Sequence, residues 1–366
     1  RPLSKGAAGI SRVTRCLLDA LQQTDTRNEY VLFSNRPIDF PLKSARWKKV
    51  VDSHWRSLPG TIWLLMKARR DALRENVEVF WGPQHAVPLG LPGSIRTVVT
   101  IHDVVWLRYP ERMSAWNKLV HRALAGRFVR SAGRIIAVSE STKDDVRTLL
   151  GVPESKIQVV YNGVSDHFRP HERAGSATYI NQKYGTTSNY LCALGTVEPR
   201  KNLPNLIRAF AALRERHNLP VQLVIAGARG WKNSAVFETM RSLRLTDQQV
   251  KFLGFVPDED LPILYSGAQL FVFPSTYEGF GLPLLEAMAC GTPVVCTDRS
   301  SPPEVCGPAA VYFDPDSVED MTYAMLSVLE SNDVREKLIS AGLERAKRFT
   351  WKHSAENVLS ILESAF

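Results

Sequence analysis

A chain of 366 residues with 44% hydrophobic and 23% charged content has the make-up of a globular protein large enough for two cores, and not that of a disordered or fibrous chain. Its apolar runs fall short of the roughly eighteen residues that cross a bilayer, and its first residues lack the charged-then-apolar pattern of a secretory leader. Five cysteines, odd in number and without CxxC spacing, point to reduced thiols in a cytoplasm rather than to disulfides or a zinc site; the net charge of +9 is concentrated in residues 1–178, with 28 Lys+Arg against 16 Asp+Glu.

In chain order, Arg1-Pro2-Leu3-Ser4 leads through the loop Gly6-Ala7-Ala8-Gly9-Ile10 into a helix expected over Ser11–Gln23. A doubly wound domain normally opens on a buried strand, so the expectation is that a first strand belongs ahead of this loop and is missing from the sequence. Short strands are expected at Glu29–Ser34, Glu78–Trp81, Arg96–His102 and Gly133–Ser139, with helices at Trp63–Glu75, Ala115–Val129 and Glu140–Leu150. After Val159–Val164 the pattern dissolves into a polar segment carrying Pro170 and Gly175. Strands then return at Tyr190–Gly195, Val221–Ala226, Val250–Leu253, Leu270–Phe273 and Pro293–Cys296. Helices at Leu203–Arg216, Leu261–Gly267, Pro283–Cys290 and Val318–Ser331 lie among them, and a last helix follows Phe349-Thr350. Strand and helix in alternation give parallel sheets covered on both faces. The expected organisation is a first α/β domain over residues 1–168, a linker over 169–188, a second domain over 189–348, and a final helix over 349–366 that packs back on the first domain.

Two segments carry the chemistry. In the first, Gly195-Thr196-Val197-Glu198-Pro199-Arg200-Lys201-Asn202 follows a strand and opens a helix. Adjacent cations at a strand's carboxyl end suit a diphosphate, because Arg forks onto two oxygens and Lys acts as a point charge. In the second, Phe273 ends a strand, Glu278-Gly279-Phe280-Gly281-Leu282 forms a turn, and Pro283 stands at a helix start ahead of Glu286. Gly279 and Gly281 let backbone approach a ligand, and the helix start offers free N–H groups and positive dipole. The two glutamates can then serve a sugar and a ribose diol. Glu336 and Glu344 repeat the spacing inside an expected surface helix, so context and not spacing marks the first pair. Weaker signals are His102, at the end of Thr100-Ile101-His102-Asp103 and placed to meet a sugar, and Gly9, whose loop can meet a phosphate. Asp314-Pro315-Asp316 has the D-x-D spacing of metal-dependent sugar transferases, but the proline and the following Ser317 read as a turn and helix cap.

Taken in order, Gly6–Ile10, Thr100–Asp103, Ala137–Thr142, Val159–Val164, Gly195–Leu203, Gly254–Val256 and Glu278–Glu286 resemble the family 4 retaining glycosyltransferases of GT-B fold, over nearly the whole chain. The resemblance implies two doubly wound Rossmann-like domains facing a central cleft. It implies that Arg200 and Lys201 hold the donor diphosphate, that Glu286 takes the ribose, and that Glu278 with the Gly279, Phe280, Gly281 and Leu282 amides takes the hexose. It places His102 near the reacting face, Gly9 by the distal phosphate, and backbone at Phe255 and Val256 against the base. Many members carry an arginine directly after the glycine where this chain has Thr196, and Glu198-Pro199-Arg200-Lys201-Asn202 is similar to the mannosyltransferase-like branch. The implied reaction is hexose transfer with retained configuration. It uses a nucleotide-sugar donor, GDP-mannose ahead of UDP- or dTDP-hexoses, and no metal or other cofactor.

From Arg108 to Arg134 seven Lys/Arg and the single acid Glu111 interleave with Trp106, Tyr109, Met113, Trp116, Leu119 and Val120. Such a stretch suits an anionic membrane surface, and the expectation is a peripheral enzyme that extends a polyprenyl-diphosphate-linked glycan. Two rivals fit less well. A sugar-nucleotide epimerase of similar architecture lacks this pairing of Arg200-Lys201 with Glu278–Glu286. A nucleic-acid-binding protein suits the basic half but has no reader motif, so no nucleic-acid partner is expected.

Overall fold

The computed structural model describes residue 3 and residues 9–56, 60–109, 126–217 and 219–364. The chain divides into two units, Arg1–Gly163 with Thr350–Phe366, and Val164–Phe349. The first boundary falls at Gly163 rather than at 168. Gly163 is required there by close approach, since a Cβ would lie 2.2 Å from the Trp351 nitrogen of the returning chain.

In the first unit, β1 (Tyr30–Ser34) pairs in parallel with β2 (Trp47–Val51), and β3 (Val79–Gly82), β4 (Arg96–Ile101), β5 (Arg134–Ala137) and β6 (Ile157–Val159) form a second parallel sheet in that order. Leu17, Leu18 and Leu21 of the helix Ile10–Thr24 meet Val358, Ile361 and Leu362 of the helix Trp351–Glu363. The last helix thus packs back on the first unit, and Arg27 pairs with Glu363 at 2.7 Å. Each such fully buried Leu or Ile is worth about 1.5–3 kcal/mol, which is why a helix so distant in sequence is held there.

The second unit holds one six-stranded parallel sheet in the order β12-β11-β10-β7-β8-β9. Its strands are β7 (Tyr190–Leu194), β8 (Gln222–Ala226), β9 (Val250–Gly254), β10 (Leu270–Phe273), β11 (Val294–Thr297) and β12 (Ala310–Phe313). The helix Leu203–His217 buries Leu206, Ile207, Phe210 and Leu213, a stripe at helical spacing, against this sheet. From β7 the chain winds outward through β8 and β9, then restarts at β10 on the other side. The switch point lies between β7 and β10, and ligands of doubly wound sheets bind outside the carboxyl ends at such a point.

Several elements differ from expectation. The segment 169–188 is no plain linker, because it holds the helix Arg173–Tyr184. Its apolar stripe is slight, with Ser176, Ala177 and Ile180 buried; Glu172 caps its start through the Ala174 and Gly175 amides, and left-handed Gly185 ends it. The helix expected over Trp63–Glu75 is three pieces, Gly60–Trp63, a π turn Leu64–Ala68, and Arg69–Arg74. Strand β2 was not expected because its two lysines are exposed, as suits an edge strand. Of the helix expected over Ala115–Val129, residues 115–125 lie outside the described residues and the rest falls in the helix Gly126–Ser131; most of the basic aromatic stretch also lies outside the described residues.

Candidate active site

Beyond β7 the chain makes a short 3₁₀ turn, Pro199–Lys201, preceded by Glu198 in extended conformation and closed by Asn202 at φ 52°. Pro199 sets the first turn residue, and Asn is among the few side chains that accept a left-handed backbone. The Asn202 side chain donates to the Pro315 carbonyl at 2.6 Å, which anchors the turn. Beyond β10 the chain runs from Pro274 to Gly281, at φ 92°, and enters the helix Leu282–Ala289 with proline in its first turn. A Cβ on Gly281 would lie 2.8 Å from Leu284 Cδ1. The Thr276 amide donates to the Arg200 carbonyl at 2.9 Å, so the two loops are laced together across the switch point.

That lacing brings Arg200, Lys201 and Glu278 into one cluster. Lys201 Nζ is 2.6 Å from Glu278 Oε1, and Arg200 Nη1 is 2.6 Å from Glu278 Oε2. Arg200 also donates to the Tyr277 carbonyl at 2.8 Å, and through Nε and Nη2 to Glu198 Oε1 at 3.1 and 2.9 Å. The Lys201 ammonium lies 5.1 Å from the centre of the Phe273 ring. Gly195 makes room for its stem, since a Cβ there would be 2.8 Å from Lys201 Cε. Burial pushes the Glu278 carboxyl upward, but the Arg200 and Lys201 charges outweigh that and hold it at about 2. Burial also pulls Lys201 below its usual value, with Glu278 working in the opposite direction. Two half-buried cations share the Glu278 carboxylate, with Glu198 as a second partner of Arg200, and an anion that enters can share the charge that Glu278 now balances.

Three contributors were not singled out from the sequence. Glu198 orients the Arg200 fork. Ser300, at φ 58°, accepts from the Glu278 amide at 2.9 Å, and Ser301 donates to the Glu278 carbonyl at 3.0 Å. Both serines follow β11, and the only signal for them was a polar turn, Asp298-Arg299-Ser300-Ser301, after a buried strand.

The remaining expected residues fall in several places. Gly279 and Phe280 are buried in the β10 turn, with the Phe280 ring edge-on to Phe349 at 6.1 Å, so backbone is what that residue offers a ligand. Leu282 is half-buried at the helix start. Glu286 is 1% exposed and accepts from the Tyr265 hydroxyl at 3.0 Å. At the end of β9, Val256 is buried whereas Phe255 is 66% exposed. The discounted acids serve structure, as expected: Asp314 and Asp316 both pair with Arg299 at 2.7 Å, and Ser317 caps the following helix through the Asp320 amide. Glu336 and Glu344 are exposed on the helix Asn332–Ala346.

Gly9 and His102 belong to the first unit. Gly9, at φ 63°, caps the helix Ile10–Thr24 with open space around its Cα. His102 follows β4, is buried, and donates from Nε2 to the Pro83 carbonyl at 2.8 Å, which leaves Nδ1 as the ring's acceptor. Burial, with the neighbouring His85 adding to it, pushes its imidazole down to about 4. At neutral pH it is an uncharged acceptor, suited to a hydroxyl and unsuited to an anion.

Comparison with known proteins decides the family. Residues 7–168 match the model of Glycosyltransferase Family 4, and residues 180–345 match Glycosyl transferases group 1. The O-antigen chain mannosyltransferase B of Escherichia coli is 33% identical over 305 residues, 81% of this chain and 77% of its own length. The chain belongs to the family 4 glycosyltransferases. It is a mannosyltransferase-like member of GT-B fold, and the fold is shared with Anabaena HepE, solved with UDP and glucose, at 20% identity and TM-score 0.72 over 99% and 98% of the two chains. The serotype-specific mannosyltransferase WbdA of Escherichia coli is 29% identical over 71% of this chain, which spans 32% of WbdA.

Proposed function

We propose that this glycosyltransferase moves mannose from GDP-mannose, with retained configuration, onto a glycan carried on a polyprenyl diphosphate during bacterial surface polysaccharide synthesis. The observation that carries the reading is the pair of half-buried cations sharing Glu278 at the switch point of the second unit. Relatives named as O-antigen mannosyltransferases support the sugar and the pathway class. In this reading the bond from the anomeric carbon to the diphosphate breaks as the acceptor oxygen bonds from the same side, and a phosphate oxygen takes the acceptor's proton. Arg200 and Lys201 stabilise the departing charge. Glu278 and the Gly279–Leu282 amides hold the hexose, Glu286 the ribose, and backbone at Phe255 and Val256 the base. Gly9 offers its open cap to the distal phosphate, and His102 offers Nδ1 to a sugar hydroxyl. Fixed cations do what a metal does elsewhere, so no metal is required.

GDP-mannose is expected to raise the melting temperature more than UDP- or dTDP-hexoses do, and transfer in excess EDTA is expected to give an α-linked mannoside. A β-linked product removes the retaining mechanism. Full loss in EDTA with rescue by Mn²⁺ removes the metal-free reading, and a response to a UDP- or dTDP-hexose alone moves the donor. Residues 108–134 are proposed to dock the enzyme on an acidic membrane. Co-sedimentation with phosphatidylglycerol vesicles at low salt is expected, and its absence removes that docking.

A further inference from the structure

Glu286 lies within the helix Leu282–Ala289 and is 1% exposed. A carboxylate that far from water is held by donors aimed at it. The Tyr265 hydroxyl is such a donor, reaching Oε2 at 3.0 Å from a different element, the helix Leu261–Gly267. The last torsion of a glutamate joins a tetrahedral carbon to a planar one and has a broad profile, so a carboxylate that nothing holds turns about it. A bond to one oxygen stops that turning.

Tyr265 itself has little freedom. It is fully buried, and its ring stands edge-on to Phe271 with centroids 5.3 Å apart and lies 6.2 Å from the Phe168 ring. Side chains take up the carbonyls that end its helix: the Tyr190 hydroxyl donates to Leu264 and the Thr292 hydroxyl to Tyr265, each at 2.8 Å. The Ser266 hydroxyl donates to the Cys290 carbonyl at 3.3 Å, which ties this helix to the residue that closes the helix of Glu286. Phenol and carboxylate are thus fixed by their backbones as well as by their own bond.

We propose that Tyr265 is a positioning residue for the donor's ribose: its hydroxyl sets the plane of the Glu286 carboxylate before the nucleotide arrives. The proposal rests on the reading of Glu286 as the partner of the ribose. Two vicinal hydroxyls meet two carboxylate oxygens in a restricted set of orientations, and a carboxylate already in that plane spares the cost of ordering it on binding. A carboxylate accepts at about four positions, so a phenol on Oε2 is compatible with a diol across both oxygens. Tyr265 acts through Glu286 and makes no contact of its own with the nucleotide.

Tyr265→Phe keeps the packed ring and removes the hydroxyl. Isothermal titration calorimetry compares this variant with the wild type, using GDP, UDP and the 2′-deoxy form of each, and the pair that binds the wild type more tightly is read. The wild type is expected to bind the ribonucleotide about tenfold or more tighter than its 2′-deoxy form, as suits a hydroxyl bonded to a carboxylate. In Tyr265→Phe that preference is expected to fall to about threefold or less, with the 2′-deoxy form bound within about twofold of its wild-type affinity. A wild type without ribose preference removes the ribose role of Glu286 and the proposal with it. A wild-type preference that Tyr265→Phe keeps in full overturns the role of Tyr265 alone, as does equal weakening of both nucleotides, which marks a purely structural residue. If the orphaned carboxylate prevents Tyr265→Phe from folding, Glu286→Gln is compared with the double variant Tyr265→Phe, Glu286→Gln. Equal ribonucleotide affinity in those two is expected, and a further loss in the double variant overturns the proposal.

Discussion

Replacing Lys201 with alanine is expected to lower kcat/KM for sugar transfer about a hundredfold or more while leaving a folded protein. The size follows from the cluster's geometry. Lys201 is only 12% exposed and within 2.6 Å of Glu278, so its charge acts through protein more than through water. A unit charge at about 4 Å and an effective dielectric near 20 interacts with an anion by roughly 4 kcal/mol, and each ~1.4 kcal/mol is tenfold in rate. Even when about a third of that is offset by rearrangement, two powers of ten remain. On the proposed mechanism the charge on the diphosphate grows as the sugar departs, so the loss is expected in kcat more than in donor affinity. The fold should tolerate the change, because Arg200 remains 2.6 Å from Glu278 and keeps the carboxylate paired. Lys201→Arg tests whether charge alone suffices. The Lys201 stem passes over Gly195 with so little room that a Cβ there would approach to 2.8 Å, so the broader guanidinium is expected to restore only part of the rate. Turnover by Lys201→Ala at the wild-type rate would show that this ammonium does not carry the departing charge.

How much of this cluster was legible beforehand depended on how local each signal is. Arg200, Lys201 and Glu278 stand at strand ends followed by turn residues and helix starts, and both segments announce that context within about ten residues. Their meeting required only that β7 and β10 be neighbours, which the alternating pattern suggests without stating. Glu198 was in plain view, yet nothing in the sequence shows that it folds back two residues onto the Arg200 fork. Ser300 and Ser301 were harder still. Their bonds go to the backbone of Glu278, 22 and 23 positions away, and neither residue type signals such a partner. The same logic explains the elements that were missed. The helix Arg173–Tyr184 depends on its caps more than on an apolar stripe, and β2 alternates too weakly to be read as a strand. By contrast, the discounted Asp314-Pro315-Asp316 was readable because turn and cap chemistry is local.

Glu278→Gln is expected to separate the stability of the second unit from its chemistry. In the folded protein the Glu278 carboxyl titrates at about 2, below its ordinary 4.5, because two cations outweigh its burial. A group with a lowered folded pKa stabilises the protein above its unfolded pKa, and that contribution is lost as pH falls through the folded value. The window here runs from about pH 5 down to about pH 2, and a shift of this size corresponds to about 3 kcal/mol at neutral pH. The glutamine keeps shape and one acceptor but removes the carboxylate charge that Arg200 and Lys201 share, while Glu198 stays paired with Arg200. Urea titrations at pH 7 should therefore show the variant less stable by about 3 kcal/mol, a gap that shrinks to under about 1 kcal/mol near pH 2.5. Binding should move in the opposite direction. On the proposed assignment of donor and site, a nucleoside diphosphate no longer competes with the carboxylate for the two cations, so GDP is expected to bind about tenfold more tightly while sugar transfer slows. A stability gap that stays constant between pH 7 and 2.5 would mean that Glu278 is not the cations' counter-ion in solution. Weaker binding of GDP to the variant would mean instead that the carboxylate helps to receive the nucleotide, and the division of labour within the cluster would have to be redrawn.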